Sequence, residues 1–177
     1  MSCKLLLSVS LVGLTAALAF PSPLWAGEDS SGAGQAAGSY LHRAEAALAN
    51  KDYDLAVQYA TKAVEKKPFL IPAYAARGMA HYFQDRHYLA IQDFCKVLAW
   101  CRAASDVYVL RGTCYLKKKM YAEAVADASA AIKVRQRYAA AYFLRAVAYR
   151  AQGQNKLAKA DYRRWQRYRR SADRKAP

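Results

Sequence analysis

A tyrosine recurs every thirty-four residues along this chain of 177, at Tyr40, Tyr74, Tyr108 and Tyr142. Two further columns keep the same step. One is Arg43, Arg77, Arg111 and Arg145; the other is Ala56, Ala90, Ala124 and Ala158. A fourth admits only small residues, Ala44, Gly78, Gly112 and Ala146. No insertion breaks the step. Self-similarity at one fixed period of this length means a stacked helical repeat, in which each unit buries its apolar face against its neighbours.

Apolar periodicity and turn chemistry divide the repeats into eight helices, over 39–50, 54–66, 72–84, 88–100, 106–118, 122–134, 140–152 and 156–170. Asn50-Lys51-Asp52 supplies the first turn and Gly153 the last. Pro72 falls in a first helical turn, where its missing N–H costs nothing. Ser105 is a candidate N-cap, with Asp106 beside it favoured by the helix dipole. Ala56, Ala60 and Ala63 form one helix face, as do Phe94, Val97 and Leu98, and then Ala128, Ala131 and Ile132. Asp93, Asp127 and Asp161 recur at the same step, with Tyr59 in their place in repeat one. The recurring arginines and aspartates predict ion pairs Arg77–Asp93, Arg111–Asp127 and Arg145–Asp161 across the helix packing. The alternative is solvated charges that contribute little.

These residues resemble the tetratricopeptide (TPR) repeat family. The third copy is closest, with Tyr108, Gly112, Tyr115, Tyr121, Ala124, Ala128 and Ala131; the first ends on the family's Pro at Pro68. Departures are His81 and His87 where aromatics are usual, and Arg102, Gln136 and Arg170 where the closing Pro is usual. Ala146 replaces Gly, and Trp165 stands where a small residue is usual. The resemblance spans roughly residues 38–170 and implies an all-α fold, a right-handed α-solenoid of four helix–turn–helix repeats. It implies a binding scaffold and leaves the ligand open.

The same register implies a concave groove lined by the first helix of each repeat. Its candidate partner-binding residues are Leu41, Glu45, Met79, Tyr82, Phe83, Val109, Thr113, Leu116, Phe143, Val147 and Arg150. This mostly apolar set suits an apolar peptide or amphipathic helix, unless the linker or a second copy of the chain covers it. The family's clamp for a terminal carboxylate needs Lys and Asn, and the corresponding positions here are Leu41, Glu45 and Ala76.

The formal charge is +15, and it is concentrated at one end. From Arg135 onward there are thirteen basic residues against two acids, a balance of +11. Lys156, Lys159, Arg163, Arg167 and Arg170 share one helix face. They form either a polar cap on the last repeat or a docking strip for an anionic membrane surface, an envelope polymer or an acidic protein. Nucleic acid suits the charge, but export argues against it.

Residues 1–26 read as a signal peptide: Lys4, an apolar run from Leu5 to Phe20, Pro21 and Pro23, then Ala26 at a cleavage site, with Ala19 as second choice. The chain is therefore expected to be exported, periplasmic or secreted, with an uncleaved N-terminal anchor as the alternative. Residues 27–38 read as a flexible linker, 39–170 as the repeat domain and 171–177 as a basic tail. Three cysteines fall in the repeats. Cys101 with Cys114, or Cys95 with Cys114, is a candidate disulfide; the alternative is three buried thiols. His42, His81 and His87 lack metal-ligand spacing, and no catalytic constellation or cofactor motif is present in the sequence. The expectation is a non-enzymatic binding protein with no cofactor.

Overall fold

The computed structural model describes residues 32–173, with side chains over 32–170. The chain forms α1 (Gly32–Ala49), α2 (Tyr53–Lys66), α3 (Ile71–Phe83), α4 (His87–Trp100), α5 (Ser105–Lys117), α6 (Tyr121–Val134), α7 (Ala139–Ala151) and α8 (Asn155–Asp173). These are four antiparallel helix pairs, stacked in sequence order. Each first helix packs on its own second helix and on the second helix of the repeat before it. First helices also touch the next repeat's first helix, α1 on α3, α3 on α5 and α5 on α7. No corresponding contact joins α2 to α4, α4 to α6 or α6 to α8. Close packing in one layer and splaying in the other put the odd-numbered helices on the inside of the curve.

The turns inside the repeats share one device. Lys51, Asp85, Lys119 and Gly153 each have positive φ, at 61°, 57°, 60° and 76°. They are thirty-four residues apart and form a column that side-chain identity hides. A left-handed residue costs a non-glycine roughly 1–2 kcal/mol, so packing of the helix pair imposes it. Asp52 then caps α2, its Oδ1 accepting from the Leu55 N–H at 3.1 Å. Pro72 lies in the first turn of α3.

Three features depart from the sequence reading beyond one-residue shifts of helix ends. Helix α1 begins at Gly32, so residues 32–38 of the expected linker are helical. Ala37 is the reason: it lies one turn before Leu41, and both are buried with Ala60, Ala63 and Ala73. Ser105 does not cap α5; it is the first helical residue and is buried, while Ala104 holds the cap position without a side-chain bond. Helix α8 runs to Asp173, so it takes in the first three residues of the expected tail. Residues 1–31 and 174–177, with the signal peptide and the rest of linker and tail, lie outside the described residues. Among the described residues no helix is long and apolar enough to cross a membrane.

The core is a series of junctions. Phe94, Val97 and Leu98 of α4 meet Val107, Leu110 and Cys114 of α5 in the largest cluster. Gly112 marks the tightest approach. A Cβ there would stand 2.7 Å from Leu144 Cδ2 on α7 and 3.2 Å from Asp127 Cβ on α6. Gly112→Val should therefore lower stability by about 1–3 kcal/mol through overpacking. The check is the urea-unfolding midpoint, with Ala146→Gly as a small-residue comparison at the same column.

Candidate functional site

Three buried ion pairs set the geometry of the inner face. Arg77 meets Asp93 through two bonds of 2.9 and 2.8 Å, Arg111 meets Asp127 at 2.9 and 2.7 Å, and Arg145 meets Asp161 at 2.7 and 3.0 Å. The aspartates are nearly inaccessible, so their carboxylates depend on these guanidinium groups, with Arg164 a second donor to Asp161 Oδ1 at 3.3 Å. Each arginine also reaches back to the preceding repeat. Arg77 donates to Thr61 Oγ1 at 3.4 Å, Arg111 to Cys95 Sγ at 3.1 Å and Arg145 to Ser129 Oγ at 3.1 Å. One side chain thus ties three helices. Thr61, Cys95 and Ser129 are a further column, too varied to stand out in the sequence. Arg43 lacks an aspartate partner and lies over the Tyr59 ring at 5.8 Å. The tyrosine column pins the turns between repeats. Tyr74 donates to the Pro68 carbonyl at 3.1 Å and Tyr142 to the Gln136 carbonyl at 3.0 Å.

Not all of the expected groove residues face outward. Leu41 and Val109 are buried and belong to the cores between repeats. The contact between successive first helices covers them, a consequence of stacking that periodicity cannot report. Phe143 holds the same column but is 42% exposed, because among the described residues no further first helix packs on α7. It packs instead on Tyr162 and Trp165 of α8, with ring centroids at 6.0 and 5.0 Å. Met79, Tyr82, Thr113, Leu116 and Val147 are half-buried along the inner helices, and Phe83 and Arg150 are exposed. The Thr113 hydroxyl donates to the Val109 carbonyl at 2.8 Å, so its polar group is satisfied within its own helix. Phe83 stacks on Tyr53 at 5.0 Å and meets Tyr82 edge-on at 5.3 Å. Glu45 is half-buried at the first repeat, and desolvation pushes its carboxyl pKa up, with His42 opposing. Among the sites named for the groove, charge stands only at the two ends, Glu45 and Arg150.

The family model for the tetratricopeptide repeat matches residues 37–68, 105–138 and 139–170, together more than half of the chain. This chain is a tetratricopeptide-repeat protein. Repeat two, outside those matches, keeps the same helix pair and the same arginine–aspartate tie. Similar solved structures share the fold. A crystal structure of MamA superposes with a TM-score of 0.74 at 17% identity, over 78% of this chain and 81% of that one. MamA from Desulfovibrio magneticus RS-1 gives 0.74 at 18%, over 77% of each chain. The TPR domain of Arabidopsis OM64 gives 0.65 at 23%, over 67% of this chain and 98% of that one. No curated protein matches the chain.

Tetratricopeptide stacking also divides the basic face of α8. Positions that meet a following repeat are Val57, Ile91 and Val125 in one column and Thr61, Cys95 and Ser129 in another; in repeat four they become Lys159 and Arg163. Both are exposed, and both give water a polar surface where the stack ends. Lys156, Arg167 and Arg170 hold columns that are exposed in every repeat, so ending the stack does not require their charge. Asp161, the only acid between residues 155 and 170, is buried against Arg145 and Arg164.

The cysteines depart from expectation. Cys95 and Cys114 are free thiols, so neither candidate pairing forms. Cys101 is disulfide-bonded to neither of them. Cys95 is exposed beside Arg111, while Cys114 is buried and its pKa is pushed up to about 12 by desolvation. Among the described residues no group of three or more His, Cys, Asp or Glu gathers to hold a metal.

His81 replaces the second tyrosine of a sandwich. Arg111 lies between Tyr108 and Tyr115, and Arg145 between Tyr142 and Tyr149, whereas Arg77 has Tyr74 alone. A cavity of about 250 Å³ remains, lined by Thr61, Arg77, His81, Leu89, Gln92 and Asp93. Desolvation lowers the His81 pKa; Asp93 opposes this, and Arg77 and Arg86 add to it.

Two outcomes follow for stability. Asp127→Ala leaves the Arg111 charge buried without its partner and should cost about 3–5 kcal/mol, whereas Arg43→Ala should cost under about 1 kcal/mol. Urea midpoints of the two variants test the contrast. The depressed His81 pKa means that the unfolded chain takes up a proton first as pH falls through about 6.5, so this residue's contribution to stability declines below that point. His81→Tyr should reduce the loss of midpoint between about pH 7.5 and pH 5.5.

Proposed function

We propose that this tetratricopeptide-repeat protein is a non-enzymatic scaffold of the cell envelope that holds an apolar or amphipathic segment of a partner protein along its inner helix face. The observation that carries the reading is the composition of that face. Met79, Tyr82, Phe83, Leu116 and Val147 leave apolar surface accessible on three successive inner helices. The ion pairs hold those helices in fixed register, so the partner meets a preorganised surface. A bound helix would lay its apolar stripe on these residues, as helix-in-groove recognition requires. Glu45 and Arg150 at opposite ends favour one direction of the segment through charge. The envelope assignment rests on the signal-peptide pattern over residues 1–26, with retention as an N-terminal anchor as its variant.

A second reading has its own observation. Lys156, Lys159, Arg163, Arg167 and Arg170 are all exposed, and the one acid among them is buried. This supports electrostatic binding to an anionic surface or polymer at the C-terminal end.

Salt separates the two. Binding on the inner face should persist at high ionic strength and weaken at least about tenfold in Met79→Glu or Leu116→Glu, since a carboxylate would be buried unpaired in the complex. Binding through α8 should fall steeply with salt and be lost when Arg163, Arg167 and Arg170 become Ser. Retention from a native envelope extract at low and high salt, followed by mass spectrometry of the bound proteins and titration of the variants, gives the measurement. Cell fractionation with N-terminal sequencing checks export and the cleavage site.

A further inference from the structure

The antiparallel pairing of helices sends every connection between repeats to one edge of the solenoid and every connection within a repeat to the other. The two edges differ in chemistry. The edge within repeats mixes signs: Asp52, Asp85 and Glu123 are exposed among Lys51, Lys117 and Lys119. The edge between repeats comprises residues 65–70, 99–104 and 133–138 and, near the end of α8, residues 167–170. It holds nine lysines and arginines against one acid, Glu65.

That edge also carries the two most exposed large apolar side chains of the described residues, Phe69 at 72% and Trp100 at 66%. They come from successive repeats, and their rings meet edge-on at 6.0 Å. Neither is required by the repeat: the Trp100 column is Lys66 in repeat one and Val134 in repeat three, both also exposed. The C-terminal end of α8 lies at the same edge, since Tyr168 stands 5.2 Å from Tyr142, which bonds the Gln136 carbonyl in the last connection.

We propose that this edge docks on an anionic bilayer surface. The inference rests on the charge argument of the second reading above and goes beyond it by moving the contact from one face of α8 to the row of connections. An aromatic pair on an edge that also carries exposed Lys66, Arg102, Arg137 and Arg170 matches what the interface of a bilayer accepts. Tryptophan and phenylalanine enter the headgroup region, and the cations face acidic headgroups. An acidic protein would satisfy the charges, but it gives no account of two large rings held out in water at the rim rather than in a pocket. The inner face stays open in this orientation, since it is formed by the sides of the odd-numbered helices and not by their ends.

The test uses the full chain and vesicles of phosphatidylcholine, alone or with about one-third phosphatidylglycerol, a mixture that gives an anionic surface. The readout is Trp100, isolated as the difference between wild type and Trp100→Phe, with bromine-labelled acyl chains as quencher. The expected result is a blue shift and quenching of Trp100 on anionic vesicles only. Phe69→Ser, and separately the change of Arg102, Arg137 and Arg170 to Ser, should each weaken that response by about tenfold or more. All four positions are exposed, so these variants keep the fold, and Met79→Glu should bind vesicles as wild type does. Salt-sensitive sedimentation with anionic vesicles but unchanged Trp100 emission would overturn the edge and leave the charge reading standing. Equal behaviour on neutral and anionic vesicles would overturn both, and binding to polyglutamate without any vesicle response would reassign the edge to an acidic protein.

Discussion

The architecture depends on a guanidinium placed where three helices converge. A repeat of two short helices has no core of its own, so each must be fixed to the next. Apolar contact alone is tolerant of sliding, and the junction faces of repeats one and three are rich in small alanines that specify register weakly. Arg77, Arg111 and Arg145 remove that freedom. Each holds a buried carboxylate on its own repeat through two bonds and a small polar side chain on the repeat before. A bidentate pair is directional, so a slip of one residue would leave a charge buried alone. Regular curvature and a continuous inner face are consequences of that repeated tie.

The four repeats then depart from one another where their neighbours differ. At the first repeat the aspartate that would meet Arg43 is replaced by Tyr59, and an aromatic contact stands in for the ion pair. At the last repeat the columns that would meet a next repeat turn to Lys159 and Arg163, and Phe143 is left to Trp165 and Tyr162. In repeat two the aromatic sandwich around the arginine is opened by His81, leaving a cavity. Ends and exceptions of the periodic pattern are thus where the molecule offers chemistry beyond packing.

Much of this was legible in one dimension. The fixed columns implied the pairing of helices, and seven of the eight helix starts fall within one residue of the sequence reading, because turn chemistry repeats with the period. The arginine–aspartate pairs were legible for the same reason: two charged columns sixteen residues apart recur together. The start of α1 was not, since glycine and alanine before Ser39 resemble a linker and only the burial of Ala37 reveals the extra turns. Ser105 looked like a cap because its side chain suits one, yet packing drew it into the junction. Of the named inner-face residues, Leu41 and Val109 read as groove and proved to be core.

What the amino-acid sequence determined by itself is the repeat, its helical content, its family and the excess of positive charge, all properties of order along the chain. What only the tertiary structure decided is which surface each residue serves. Stacking covers one column and exposes the next, and it gathers Phe69 and Trp100 from different repeats onto one basic edge. The physical reason is that a period fixes the angle of a side chain around its helix, whereas exposure depends on whether another helix lies in that direction.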